Sequence, residues 1–433
     1  MTPRSSFDFG TILHEGDTVA WPQGTGEPRG LTRRLVAQRS GLPRIRLFVG
    51  MTTSDTLTAA CTDRFDLIGL NGAGMNRHLT SAGALTVMPL HVSAVPRLIR
   101  AGRIKVDVAL VRARATGRPG ELSVGVVADY TRALIENARC VVAEMDERLP
   151  LTGQDALIAT GQVHFRVAAD ADEILLPDSP PSAMDRAVAA QVAAVIPDRA
   201  TVQLGIGGLP VAVAEALFDH RELGIHSGVV SDILVDLVEK GVVSNAYKGL
   251  DDGRSVTGAL FGSRRLNDFA HENPALELRS VEHTHSIAIM AQLHALHSVN
   301  SAIEVDLTGQ VNSELAGGRY LGAVGGQVDF VRGSQLSPGG RSIIALPSTT
   351  PDGRTSRIVM SLEGRPVTTA RSDVDMIVTE YGVADLRGAS FVERRRRLAA
   401  IAHPEFRDRL LGAAEDPDDG PAEVSLSRRA SHV

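Results

Sequence analysis

The chain has 433 residues, 43% hydrophobic and 22% charged, with a formal net charge of −6. That length exceeds one ordinary core and predicts two domains, while the acidic balance and the 4% aromatic content argue against nucleic-acid partners and base-stacking platforms. Two cysteines, Cys61 and Cys140, make neither a disulfide framework nor a metal-ligand spacing and fit a reducing compartment. No apolar h-region opens the chain and no apolar run reaches the length of a membrane span, so the expected location is the cytoplasm with no membrane partner.

In chain order, Gly16 to Pro28 followed by Leu31 to Ala37 reads as a strand, a glycine-rich turn and a helix. Arg46–Val49, Val106–Val111 and Cys140–Met145 are short apolar runs of the kind buried in a mostly parallel sheet. Tyr130–Ala138 between the last two has the spacing of a helix laid on that sheet. The proline-rich stretch Leu175–Ser182 predicts a linker, because proline removes backbone donors and restricts its predecessor. Met184, Val188 and Val192 then mark one apolar stripe of a helix.

Thr201-Val202 through Pro210 repeats the pattern of Thr18-Val19 through Pro28: two strand residues, a glycine-rich turn, a proline. This echo suggests two copies of one α/β fold. The turn Gly205–Gly208 lacks the third glycine of a dinucleotide site and the Gly-Lys-Ser/Thr of a P-loop, which disfavours a Rossmann oxidoreductase. Ile303-Glu304-Val305-Asp306-Leu307 alternates as a strand, with both carboxylates on one face; a solvated edge strand and a glutamate aimed at substrate are the two readings. Gly325-Gly326 follows, where backbone N–H groups can approach a ligand closely. Further strands are expected at Ser342–Pro347 and Asp375–Glu380, and a helix at Glu393–Leu398.

His283, His285, His294 and His297 invite a metal reading, but no cysteine or convincing carboxylate in that segment completes a ligand set. The run Arg394–Arg397 suits a solvated or subunit-contact face. No Gly-x-Ser-x-Gly elbow and no cysteine in a nucleophile context appears, which leaves a carboxylate as the candidate nucleophile, able to attack a thioester because its leaving group is good.

Ser301–Val311, Gly325–Gly333, Ile344–Thr349, Ser356–Val359, Val378–Gly388 and Ile401–Pro404 together resemble the acetyl-CoA hydrolase/transferase family, which includes 4-hydroxybutyrate CoA-transferases. The resemblance implies two tandem, structurally related α/β domains, each with a mostly parallel sheet flanked by helices, at 1–178 and 184–412, with 413–433 as a disordered tail. It implies that Glu304 is the nucleophile of a ping-pong reaction through a glutamyl-CoA thioester, moving CoA between short-chain acyl-CoA and a carboxylate such as 4-hydroxybutyrate, butyrate or acetate. Gly326 and Gly382 join Glu304 as catalytic candidates. Gln203, Gly205, Gly207, Gly325 and Gln327 are candidates for binding the CoA thioester. No metal and no cofactor beyond CoA itself is implied, and relatives suggest a homodimer or larger homo-oligomer. Acyl-CoA hydrolysis and a catalytically silent acyl-CoA-binding protein are the alternatives. Thr116–Gly125 departs from the family's usual loop in the first domain, and Glu144–Pro150 from its usual Glu-x-Asn-x-x-Met-Pro, which bears on acyl specificity.

Overall fold

The computed structural model describes residues 7–412, so the segment 413–433 expected to be disordered lies outside the described residues. The first sheet contains β1 (Thr18–Ala20), β2 (Ile45–Val49), β3 (Phe65–Gly69), β4 (Leu85–Val87), β5 (Val108–Ala115), β6 (Glu121–Ser123), β7 (Cys140–Met145), β8 (Leu157–Ala159) and β9 (Phe165–Ala168). Its order is β4-β3-β2-β1-β5-β7-β9, all parallel, with β6 and β8 added antiparallel beyond the end of β5.

After the proline-rich stretch the chain forms β10 (Thr201–Gln203), β11 (Gly224–Ser227), β12 (Ser255–Thr257), β13 (Leu276–Leu278) and β14 (Leu296–Ser301). Next come the short strands β15 (Glu304–Asp306), β16 (Val311–Asn312), β17 (Leu315–Ala316) and β18 (Arg319–Tyr320), then β19 (Arg341–Ala345), β20 (Ile358–Val359), β21 (Met376–Thr379) and β22 (Gly382–Asp385). The second large sheet has the order β13-β12-β11-β10-β14-β19-β21-β22, parallel except for the last pair. Its seven parallel strands repeat the order of the first sheet's parallel run, with β22 added antiparallel at the end. The two copies of the glycine-turn pattern are therefore the central strands β1 and β10, each leading through its turn into a helix, Arg29–Gln38 and Gly208–Ala216.

Burial explains why these runs read as apolar without alternation. The first six residues of β5 are all buried, as expected for a strand covered on both faces. The largest apolar cluster runs through both halves, from Ala20 and Tyr130 to Val202, Phe261 and Val378, so the two sheets share one core. No helix among the described residues is long and apolar enough to cross a membrane.

Two expectations change. β15 is not an edge strand: it is the middle of a three-stranded sheet, antiparallel to β16 and parallel to β20. Nor does the arginine run only face solvent. Arg394 donates to the carbonyls of Thr308, Arg371 and Leu386, and Arg397 to that of Asp385, which ties the helix Phe391–Ala400 onto the backbone beside it.

Candidate active site

In a parallel sheet, ligands bind outside the carboxyl ends of the strands, where the strand order reverses. That point falls between β1 and β5 in the first sheet and between β10 and β14 in the second. Here both sets of carboxyl ends point into the same cavity, of about 260 Å³. The first sheet contributes Gln23 after β1, Met51 after β2, Asn71 after β3 and Leu90 after β4. The second contributes Gln203, Gly205, Gly228, His285 and Asn300, with Gly325, Gly326 and Gln327 entering from the start of the helix Gln327–Leu336.

The lining is rich in carboxamides and poor in charge. Gln23, Asn71, Gln203, Asn300 and Gln327 face a space whose ionisable groups, among the described lining residues, are Asp129 and His285. Asn300 donates to the Gln203 side chain at 3.1 Å, across the switch point itself, and Gln327 donates to Thr369 at 3.0 Å. The helix Gln327–Leu336 begins at the cavity, so its first N–H groups and the positive end of its dipole face any carbonyl bound there. Such donors suit the oxyanion of a thioester under attack.

Asp129 is buried, accepts from the Tyr130 N–H and from Thr131, and leaves its Oδ2 without a partner. Burial pushes its carboxyl up to about 7, against opposing hydrogen bonds from Tyr130, Gln23 and Thr131. A native pKa above the unfolded value of 3.8 means that the folded state binds the proton more tightly; stability is thus drawn down as pH rises from about 4 through about 7. Ionising such a group costs at most about 4 kcal/mol. Asp129→Asn is expected to flatten the fall in melting temperature between pH 5 and pH 8, read by calorimetry against wild type; an unchanged slope would mean that Asp129 does not hold its proton in the folded state.

His285 ends the short helix Val281–Thr284 and packs edge-on against Phe330, ring centres 4.8 Å apart. Burial alone pushes its imidazole down to about 3, so it is neutral throughout the physiological range. A Cβ on Gly326 would lie 2.3 Å from His285 Nε2, and one on Gly228 would lie 2.6 Å from Cε1. Both positions must be glycine for the ring to sit where it does.

The cavity gathers five of the residues expected from sequence: Gln203, Gly205, Gly325, Gly326 and Gln327. Gly207 stands just behind them as the N-cap of the helix Gly208–Ala216, with φ of 105°. Gly382 lies elsewhere, at the turn from β21 into β22. Glu304 is also outside this lining. Its carboxylate accepts from Asn312 Nδ2 at 2.7 Å and from the Arg365 guanidinium, an ion pair that sequence could not reveal because Arg365 comes from a distant loop. Asp306 takes a structural part: its two oxygens accept from the backbone and side chains of Thr308 and Gln310 and close the turn after β15. None of residues 116–125 lines the cavity; they form the turn after β5, strand β6 and the two residues that follow it.

Asp129, Gly228 and His285 escape sequence reasoning. His285 is visible there only as one of four clustered histidines, and the fold disperses them. His283 pairs with Asp251 at 2.9 Å, beside His226 and the buried Lys248. The atoms of His226, Asp251 and His283 come within 4.8 Å of one another. The hydrogen bond from His283 chiefly, with the nearby charge of Lys248, holds Asp251 down to about 2, while the buried His226 Nδ1 is left without a partner. His294 is exposed, and His297 is buried in β14, bonded to the Ala295 carbonyl.

Two sheets of one strand order, meeting at their carboxyl ends around a cavity of carboxamides and backbone donors, define an α/β enzyme of CoA-transferase type. RipA from Yersinia pestis superposes with a TM-score of 0.87 at 33% identity, covering 93% of this chain and 94% of that one. A 4-hydroxybutyrate CoA-transferase from Porphyromonas gingivalis superposes with a TM-score of 0.80 at 33% identity and the same coverage. The chain belongs to the acetyl-CoA hydrolase/transferase family: the family's N-terminal domain matches residues 6–176 and its C-terminal domain residues 262–414. A curated relative, the 4-hydroxybutyrate coenzyme A transferase of Clostridium kluyveri, is 38% identical over 91% of this chain and 92% of its own length.

Proposed function

We propose that this chain moves CoA between a short-chain acyl-CoA and a small carboxylate acceptor of the 4-hydroxybutyrate, butyrate or acetate type, with the thioester in the cavity between the two sheets. The observation that carries this reading is the cavity itself. It joins the carboxyl ends of both sheets, sets a helix N-terminus and five carboxamides around a bound carbonyl, and has a volume of about 260 Å³, suited to a short acyl group. The activities in the names of the relatives support it.

In the ping-pong form of the reaction, Glu304 gives up Arg365 and Asn312 and attacks the thioester carbonyl. The mixed anhydride then returns the glutamyl group to CoA thiolate, and the second carboxylate takes the CoA by the reverse steps. The strand motif supports this route; the ion pair with Arg365 and the place of Glu304 outside the cavity lining weigh against it. Glu304→Gln decides it in an assay of labelled acetate exchange into butyryl-CoA. With Glu304 as nucleophile, exchange falls by about 10³-fold or more, and the borohydride-trapped adduct on the peptide containing residue 304 disappears. Exchange within a few-fold of wild type removes Glu304 from the chemistry and leaves it as the partner of Arg365.

A further inference from the structure

The stretch around His283 offers no carboxylate to complete a ligand set, but the fold supplies one from farther back in the chain. Asp251, in the loop before β12, meets His283 of the helix Val281–Thr284 and His226 of β11, and one ligand atom from each of the three lies within 4.8 Å of the others. His226 is fully buried. Its Nε2 lies 2.9 Å from the Thr284 carbonyl, which can only accept, so Nε2 carries the ring's proton. Burial, with the charge of Lys248 nearby, keeps the ring neutral. Nδ1 is therefore a lone pair, and among the described residues it has no partner. An apolar ring would fill the same volume without stranding an acceptor. An imidazole anchored through one nitrogen on a backbone carbonyl, with the other nitrogen bare, has the arrangement of a metal ligand whose outer support is already in place.

We propose that His226, Asp251 and His283 bind a divalent transition-metal ion of the zinc class, with water in the fourth position. Two imidazoles and one carboxylate suit such an ion. It takes the lone pair of His226 Nδ1, an oxygen of Asp251 and Nε2 of His283, whose neutral ring then carries its one proton on Nδ1. His283 Nε2 and Asp251 Oδ2 are already 2.9 Å apart, and tetrahedral bonds of about 2.1 Å set ligand atoms roughly 3.4 Å apart, so only small side-chain movements are needed. Asp251 and His283 are partly exposed, which gives the ion its way in. Lys248 is the opposing charge, with its Nζ donating to the Arg254 carbonyl, but Asp251 and Asp252 stand against that one ammonium, and Arg279 is engaged by Asp155. The ion staples the loop at 249–253 and the helix Val281–Thr284 to β11. Gly228 and His285, two residues beyond His226 and His283, stand in the cavity wall, so the staple fixes the backbone that carries this wall while its own ligands lie outside the lining.

The test titrates the full chain, stripped with EDTA and dialysed, with zinc chloride in competition with a chromophoric chelator. Wild type is expected to take up one equivalent of zinc and to melt at a higher temperature when loaded. Asp251→Asn and His283→Phe are each expected to weaken zinc binding by about 10-fold or more and to lose the rise in melting temperature. His294→Ala, which removes an exposed histidine outside the site, is expected to bind zinc as wild type does. A wild type that cannot take zinc from the chelator would overturn the proposal, as would affinities within about threefold of wild type in both ligand variants. A loss confined to His294→Ala would place the zinc on the surface and overturn it as well. If the ligand variants do not fold, X-ray absorption at the zinc edge of the loaded wild type decides: a shell of two imidazoles with oxygen supports the site, and a shell of oxygen alone overturns it.

Discussion

Gly326→Ala is expected to abolish most turnover, by about 10²-fold or more, while leaving a folded protein. The backbone at Gly326 has φ of −102° and accepts alanine without strain, and the loss of glycine at the N-cap of the helix Gln327–Leu336 costs on the order of 1 kcal/mol. The large effect comes from space. The new Cβ lies 2.3 Å from His285 Nε2 and 2.5 Å from Cδ2, and the ring cannot retreat toward Gly228, whose own Cβ position is 2.6 Å from Cε1. Either the imidazole leaves the cavity wall or the helix start withdraws, and each outcome disturbs the backbone donors that face the cavity. Combining Gly326→Ala with His285→Ala isolates the clash: removing the ring should recover the melting temperature lost by Gly326→Ala. A Gly326→Ala protein with wild-type kcat and KM would show that the helix start carries no part of the reaction.

Much of the architecture is written locally. The Thr-Val, glycine turn and proline of the two halves sit on the central strands β1 and β10 because a buried parallel strand entering a helix makes the same local demands in both sheets. The glycines at 205, 325 and 326 and the side chains Gln203 and Gln327 could be found for the same reason: turn glycines and the residues beside them carry a local signal. Other features depend on partners far along the chain. β15 reads as an edge until Ile358 pairs with Val305 from the loop beyond β19. Glu304 reads as a free carboxylate until Arg365 closes on it. His285 reads as one of several surface histidines until Gly228, Gly326 and Phe330, from three separate stretches, enclose it. Asp129 carries no sequence signal, and only the fold shows its second oxygen left unpaired against the cavity.

The seam between the two halves is expected to fail at Gly322. A Cβ there would lie 1.9 Å from the Ser313 carbonyl oxygen and 2.9 Å from its carbon, and both are backbone atoms with no rotamer to change. Gly322 cannot simply back away, because its own N–H donates to the Glu314 carbonyl at 3.0 Å and its carbonyl accepts from the Gly72 N–H at 2.9 Å. Relief of the clash therefore breaks one side of the seam. On the first-half side, the pairings of Asn71 with Ala323 and of His91 with Gly325 go with it, and these hold Ala323 and Gly325 in the cavity wall. Gly322→Ala should cost on the order of 3 kcal/mol, lower the melting temperature by about 5 °C or more and weaken butyryl-CoA binding. Hydrogen exchange locates the damage: the amides of Gly72 and Val92, which donate across the seam to Gly322 and Gly325, should lose protection while those of β10 and β14 keep theirs. If all four regions stay protected and the melting temperature is unchanged, the backbone absorbs the methyl group and the seam is not what shapes the cavity.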